Sequence, residues 1–149
     1  MRSRYTPCAF SDSQHPHITT NAHELALTVL YESTLQHLAD KPESYYAQPQ
    51  QVQEFFGQLP TVWDETRLVS GYPGESVIMA RRHGDTWYVA GINGSDEVKT
   101  LNFDLSFISG NKVTIFADTA QKPWDIRTAK VLPTGMTLQP RGGFVLVVK

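Results

Sequence analysis

The spacing of apolar residues changes near residue 66, from the helical period to the period of two that is typical of strands. The first helical segment begins at Asn21, which is placed to cap it, with Glu24 three residues later as in a capping box. Leu25, Val29 and Leu30 follow on one face. We therefore predict an amphipathic helix from Asn21 onward.

Two further segments complete the N-terminal part. Residues 34–39 fit either another helical turn or a short buried strand, and Pro42 is expected to end that element because proline disfavours helix in the residue before it. A second helix is predicted from Pro49 to Gly57. Its apolar face comprises Val52, Phe55 and Phe56.

The second part of the chain is rich in short strands. Residues 76–81 and 86–92 flank a glycine turn, which predicts a hairpin. Further strands are predicted at residues 101–107, 113–117, 128–132, 136–138 and 144–148. The last of these is apolar throughout, so both of its faces should be covered. Closely spaced strands of this kind predict an antiparallel β-sandwich.

The sandwich is expected to extend from about residue 75 to the end of the sequence. Its predicted core consists of Phe103, Leu105, Val113, Ile115, Leu146 and one of Trp87 or Tyr88.

Composition narrows the class of protein. Of 149 residues, 40% are hydrophobic and 19% charged, which suits a soluble globular chain. The net charge of −2 provides no basic surface for nucleic acid or for a membrane. Cys8 is the single cysteine, so no intrachain disulfide framework is expected. Residues 1–7 carry two arginines without an apolar run behind them, so no intact signal peptide is expected.

Candidate chemistry near the N-terminus is sparse. Asp12, His15 and His17 lie close enough in sequence to suggest a metal site, but a solvated loop is the favoured interpretation because a third ligand and its supporting contacts are not visible. Cys8 carries no sign of an activated nucleophile. His37 is placed to face a pocket if residues 34–39 form a strand.

Carboxylates and aromatics offer two more alternatives. Glu24 and Glu32 lie eight residues apart, and paired carboxylates are what glycoside hydrolysis requires, but Glu24 already has a capping role. A sugar-stacking platform is conceivable, although aromatics at strand spacing usually belong to the core. Its members would be Trp63, Trp87, Tyr88 and Trp124. We predict no catalytic and no metal-binding residue.

An ordered set of short motifs over nearly the whole chain resembles the C-terminal portion of glycoside hydrolase family 97. The motifs are Tyr5-Thr6-Pro7-Cys8-Ala9-Phe10, Ala22-His23-Glu24-Leu25-Ala26-Leu27, residues 31–40, residues 60–66, Ala80-Arg81-Arg82, Gly84-Asp85-Thr86-Trp87-Tyr88, Gly91-Ile92-Asn93-Gly94, Leu105-Ser106-Phe107 and Gly142-Gly143-Phe144. The family contains α-glucosidases and α-galactosidases. They have an N-terminal β-sandwich, a catalytic (β/α)8 barrel and a small C-terminal β-domain.

The resemblance implies an α+β chain of two parts. Residues 1–65 would be the end of the catalytic barrel, with two helices and a short strand, and residues 66–149 the C-terminal antiparallel β-sandwich. The parent enzyme would act on α-linked glucosides or galactosides in the periplasm or outside the cell, with calcium at its active site. The alternative is a stand-alone carbohydrate-binding or protein-interaction β-module.

The resemblance also bears on site residues. Active sites of such barrels form at the C-terminal ends of the strands, so Tyr5 and Asp40 are the candidates for a rim that faces the sugar. The family's catalytic carboxylates and calcium ligands match no residue here, so this chain alone is expected to be inactive. Two departures from the family pattern stand out: Cys8 stands where the family usually has a glycine, and Arg141 lies in what is usually a glycine-rich turn before the last strand.

A barrel remnant would leave the two apolar stripes of the N-terminal part without their neighbours. Exposed patches of that size promote association. We therefore expect residues 1–60 either to mediate dimerisation or to be weakly ordered.

Overall fold

The computed structural model of the chain describes residues 18–37 and 42–149. Its helices are α1 (Asn21–Leu30), α2 (Pro42–Tyr46) and α3 (Gln50–Gln58). Its strands are β1 (Glu65–Tyr72), β2 (Ser76–His83), β3 (Thr86–Asn93), β4 (Lys99–Asn102), β5 (Val113–Ala117), β6 (Asp125–Ala129), β7 (Gly135–Leu138) and β8 (Gly143–Val148). Across these two ranges, every helix is too short or too polar to cross a membrane.

Six of the strands form one antiparallel sheet in the order β1-β2-β3-β8-β5-β6, and β4 pairs with β7 in a second sheet. The predicted β2–β3 hairpin is confirmed; it turns at Gly84, whose φ of 56° glycine adopts without strain. β8 lies between β3 and β5, which explains why its sequence is apolar on both faces. The chain is thus a mostly antiparallel β-domain with few helices.

One apolar core fills the space between the six-stranded sheet and the β4–β7 pair. It contains all of the predicted sandwich residues, namely Phe103, Leu105, Val113, Ile115 and Leu146. Trp87 belongs to this core, whereas Tyr88 points to the opposite face of the sheet. The rings of Phe103 and Phe144 stack with their centroids 5.6 Å apart. We call this side of the sheet the sandwich face.

A second core lies on the other side, the helix face, where α1 and α3 cover the sheet. Its buried members are Leu25, Ala26, Val29, Val52, Phe55, Tyr88, Ala90, Phe116 and Val145. The expectation that both N-terminal stripes lack a partner is therefore wrong. The sheet itself supplies that partner, because β3, β5 and β8 present apolar side chains on both of their faces.

Several strand boundaries differ from the predictions. β1 was not predicted, because an edge strand with mostly exposed side chains carries no clear alternation. The strand expected over residues 101–107 ends at Asn102, and Phe103 and Leu105 enter the core from a loop instead. β6 begins at Asp125, three residues before the predicted strand.

The helical part also differs in detail. Pro42 begins α2 rather than ending an element, and α3 continues past Gly57 to Gln58. Residues 35–37 are not in a strand, and Leu35 is 71% exposed. Residues 38–41 lie outside the described part of the chain. The proposed division at residue 65 stays a prediction.

Candidate functional site

The N-terminus of α1 is held against the turn that leads into β8. A Cβ atom added at Gly143 would lie 2.7 Å from the Cα of His23 and 2.9 Å from the carbonyl oxygen of Ala22. Distances this short are not tolerated between a Cβ and backbone atoms, so only glycine lets helix and strand approach so closely. The Gly142-Gly143 pair thus positions α1 on the sheet.

Thr20, not Asn21, is the N-cap of α1. Its side-chain oxygen accepts a hydrogen bond from the His23 backbone N–H at 3.2 Å, while its own backbone N–H donates to the Arg141 carbonyl at 3.1 Å. The N-cap predicted at Asn21 therefore lies one residue earlier. Glu24 instead accepts a hydrogen bond from the Thr19 hydroxyl.

Two loops, residues 93–97 and 139–143, form a clasp around this helix end. Asn93 is fully buried; its side-chain N–H groups donate to the carbonyls of Glu97 and Gln139, and its backbone N–H donates to Gly142. The Asn93 side-chain oxygen accepts from the backbone N–H of Ser95 at 3.0 Å. One buried amide thus connects both loops.

Arg141 occupies the left-handed region, with a φ of 50° that favours glycine. Its guanidinium lies 2.6 Å from one carboxylate oxygen of Asp96, and its backbone N–H donates to Ser95. The guanidinium also lowers the pKa of the Asp96 carboxyl. This ion pair holds a non-glycine residue in a turn that, by the resemblance, is usually rich in glycine.

Two ionisable side chains are buried beside the clasp. Asp118 and His23 are 6% and 8% exposed. Burial raises the pKa of Asp118, against a smaller lowering by the neighbouring Thr20 side chain and the Gly143 backbone. Burial lowers the pKa of His23, against the charge of Glu24. Both shifts are in the direction that favours the neutral form of the group.

The other end of α1 is fixed by Arg81 of β2, which is 2% exposed. Its guanidinium donates to the Leu30 carbonyl at 3.1 Å and lies 2.8 Å from a Glu32 carboxylate oxygen. It also lies over the Trp63 ring, 5.6 Å from its centroid, and Trp63 contacts Tyr88 edge to face. Arg81 thus satisfies a carbonyl at the helix C-terminus.

The candidate site residues named from the sequence fall into two groups, those outside the described residues and those with structural contacts. Tyr5 and Asp40, the rim candidates, lie outside the described residues, as do Cys8, Asp12, His15 and His17. Glu24 and Glu32 contact Thr19 and Arg81 respectively, which are structural contacts. Across the described ranges there is no cluster of three histidine, cysteine or acidic side chains that fits a metal ion.

The aromatic side chains do not form a common platform. Trp87 and Tyr88 face opposite sides of the sheet, and both are buried. Trp124 donates its ring N–H to the Gln48 side chain at 3.0 Å, which ties α2–α3 to the strand β6. These rings serve packing, so the core interpretation of them is supported.

Sequence reasoning missed the main features of this site, which are Asn93, Asp118 and Arg81. Asn93 and Asp118 each follow directly after a predicted strand, where surface residues are common. The signals available were Gly142-Gly143 directly before an apolar strand and Arg141 in a turn that the family pattern makes rich in glycine. These signals indicate an unusual backbone conformation before β8, but they do not show that a helix packs against it.

Comparison with known proteins identifies the β-domain. Residues 62–149 match the family model described as glycosyl-hydrolase 97 C-terminal, oligomerisation. A probable retaining α-galactosidase of Streptomyces bingchenggensis is 49% identical over 87 residues, which cover 58% of this chain and 14% of that protein. A retaining α-galactosidase of Bacteroides thetaiotaomicron is 32% identical over 158 aligned residues, 99% of this chain and 23% of that protein.

A solved structure supports the same family assignment. The crystal structure of a β-arabinopyranosidase superposes with a TM-score of 0.80 at 35% identity, over 89% of this chain and 22% of that one. The chain thus spans less than a quarter of the length of these relatives. Because the family model covers more than half of the sequence, the chain belongs to the glycoside hydrolase 97 C-terminal family.

Proposed function

We propose that this chain is the C-terminal part of a glycoside hydrolase that acts on α-linked glucosides or galactosides, and that its β-domain supports the catalytic barrel. The observation that carries this proposal is the family match at residues 62–149, together with two relatives named as retaining α-galactosidases. The clasp gives the proposal a physical basis, because it fixes α1 to the sheet at the point where the preceding chain enters.

The helical part is proposed to be the end of that barrel. The Bacteroides thetaiotaomicron relative aligns with 99% of this chain, so the similarity includes α1 and α3 as well as the β-domain. On this proposal Tyr5 and Asp40 remain the candidates for a rim that faces an α-linked oligosaccharide. Burial of α1 and α3 on the sheet would make barrel and β-domain one continuous unit.

Catalysis is proposed to reside in the preceding barrel. Near the clasp, the Asp96 and Glu24 carboxylates contact Arg141 and Thr19, and the Asp118 carboxyl is only 6% exposed, so these groups are not placed as an accessible pair on either side of a sugar. Calcium, which the resemblance implies for the parent enzyme, is proposed to bind in the upstream part of a periplasmic or secreted enzyme. Self-association, which the family model's description suggests, is proposed as the second role of the domain.

Activity of the purified chain tests the proposal. Incubation with nitrophenyl α-galactoside and α-glucoside should release no nitrophenol above the buffer rate, whereas the longer parent protein should release it. Release by the chain alone, abolished by substituting one of its own carboxylates, would refute the assignment of catalysis to the barrel.

Titration with maltooligosaccharides separates this proposal from the binding-module alternative. No saturable heat is expected, because Trp87 and Tyr88 are buried and Trp124 is engaged with Gln48. Saturable binding that Trp124→Ala removes while the fold remains intact would favour a carbohydrate-binding module instead.

A further inference from the structure

Asn93 is followed by glycine, the neighbour beside which an asparagine side chain is chemically least stable. The backbone nitrogen of a following glycine can approach the asparagine Cγ, because glycine has no side chain to obstruct that approach. Asparagine is one of the thermolabile residue types in proteins. The sequence contains one Asn-Gly pair, and this pair lies at the centre of the clasp.

In the folded chain both groups that would react are engaged in hydrogen bonds. The Gly94 N–H donates to the Glu75 carbonyl at 2.8 Å. The Asn93 side chain is fully buried, and its Nδ2 donates to the carbonyls of Glu97 and Gln139 at 2.7 and 3.0 Å. While these bonds are in place, the carboxamide cannot rotate and the Gly94 nitrogen cannot give up its proton.

Ser95 holds the carboxamide from its other side. The hydroxyl and the backbone N–H of Ser95 donate to Asn93 Oδ1 at 2.8 and 3.0 Å. Glycine is favoured at residue 94, because a Cβ atom there would lie 3.2 Å from the Glu75 carbonyl oxygen, closer than ordinary van der Waals contact. The fold therefore keeps a labile Asn-Gly pair at this point and protects it.

We propose that Asn93 is a site of deamidation, and that opening of the clasp controls the reaction. Once the clasp is open, the Gly94 nitrogen loses its proton and forms a bond to Asn93 Cγ. The bond between Cγ and Nδ2 breaks, and Nδ2 leaves as ammonia with the proton that Gly94 gave up. Water then opens the resulting succinimide ring at either carbonyl, which yields aspartate or isoaspartate.

The product does not fit the closed clasp. A carboxylate at residue 93 has no N–H to donate, and it would face the Glu97 and Gln139 carbonyl oxygens that now accept from the carboxamide. Burying a charge against acceptors is unfavourable, so the two loops should separate. The Arg141 carbonyl, which accepts from the Thr20 N–H, moves with its loop, and α1 loses this support. Deamidation thus converts a reversible opening into a permanent one.

Peptide mapping by mass spectrometry, after incubation of the whole chain in mildly alkaline buffer, measures the reaction. Deamidation of Asn93 should be at least about a hundredfold slower in the folded chain than in the same chain unfolded in urea. Ser95→Ala removes one hydrogen bond from the carboxamide and should speed the reaction of the folded chain, relative to its own unfolded rate, about three- to tenfold.

Ser106→Ala is the matched control for Ser95→Ala. Ser106 donates from its hydroxyl and its backbone N–H to Asp104, two residues before it, as Ser95 does to Asn93, but it lies outside the clasp. It should leave the rate at Asn93 unchanged. Control by the clasp is refuted if the folded and unfolded chains react equally fast, if Asn93 does not react even when unfolded, or if both serine variants have the same rate.

Hydrogen exchange tests the consequence for α1. Asn93→Asp supplies the carboxylate of the product directly and should speed exchange in α1 about tenfold or more, whereas Asn111→Asp, at an exposed position outside the clasp, should leave it unchanged. Equal exchange of α1 in these two variants refutes the loss of its support. The deamidation rates need no substitution at Asn93, so they decide the proposal even where Asn93→Asp does not fold.

Discussion

The two faces of the six-stranded sheet are both buried, but they are covered in different ways. The sandwich face meets strands and loops of the same β-domain through apolar contacts, such as the stacked rings of Phe103 and Phe144. The helix face meets α1 and α3, whose ends are fixed by Arg81 and by the clasp around Gly143. Packing on the sandwich face is stabilised by burial of apolar side chains. Packing on the helix face also requires polar contacts and a close backbone approach that allow little displacement.

The largest effect is expected on the sandwich face. Phe144→Ala removes a fully buried ring from the centre of that core and should lower the free energy of unfolding by about 3–5 kcal/mol. Urea denaturation followed by circular dichroism measures the change. Tyr46→Ala, at a residue that is 76% exposed, is the control and should change the value by less than about 0.5 kcal/mol. A loss below about 1 kcal/mol for Phe144→Ala would contradict the packing of this core.

The helix face should respond to a single added methyl group. Gly143→Ala places a Cβ against the backbone of His23 and Ala22, so α1 must move, at a cost of about 1–3 kcal/mol. The change should appear as faster hydrogen exchange in α1, with β2 and β3 much less affected. Gly57→Ala is the matched control: nothing lies within 4 Å of its Cβ position in α3, so it should stabilise the chain by about 0.5–1 kcal/mol. Equal exchange in both variants would rule out the close contact.

A smaller effect with a pH signature is expected at Asp118. Because burial raises its pKa, the folded state binds the proton more tightly than the unfolded state does. Stability from this group is therefore highest below the ordinary aspartate pKa and decreases as pH rises through the raised value. Asp118→Asn should remove that decrease and raise the free energy of unfolding near pH 7 by about 1 kcal/mol. Parallel stability–pH curves for the two proteins would be evidence against a buried carboxyl here.

His23 should act in the opposite direction. Burial lowers its pKa, so the stability it contributes is fully present above the ordinary histidine pKa and is lost as pH falls through that value to the lowered one. His23→Gln should remove a loss of stability that sets in as pH falls below the ordinary histidine pKa, whereas Asp118→Asn should remove a loss that sets in as pH rises above the ordinary aspartate pKa. Thermal denaturation between pH 4 and pH 8, at about half-unit intervals, distinguishes the two variants by the opposite sign of the slope that each removes. Slope changes of the same sign in both variants would contradict the assignment.

The same contrast explains what the sequence allowed to be predicted. The alternation of Val113 and Ile115 identified the sandwich core, because an apolar residue at every second position shows which face of a strand is buried. The uniformly apolar β8 was predicted to be covered on both faces. The stripes at Val29 and Phe55 identified helices but not their partner, since an amphipathic pattern shows that a face is covered and not by what. Uncovered stripes were therefore expected where the sheet provides the cover.

The clasp was beyond prediction for a different reason. Asn93 contacts Gln139 across 46 residues, and Arg141 pairs with Asp96 across 45, so neither contact leaves a local pattern. Contacts between residues so far apart in the sequence become visible only in the folded structure, where the two loops lie together. Tyr5 and Asp40, which rest on the resemblance alone, stay predictions.

Hydrogen exchange on a dilute, monomeric sample of the chain tests the central claim most directly, which is that the helices and the sheet form one folded unit. Amides of α1 and α3 should be protected to nearly the same degree as those of β3 and β8, because Leu25, Val29 and Phe55 are buried against these strands or beside them. Rapid exchange throughout both helices, with the strands still protected, would contradict the account and show that the helical layer needs the rest of a longer protein to fold.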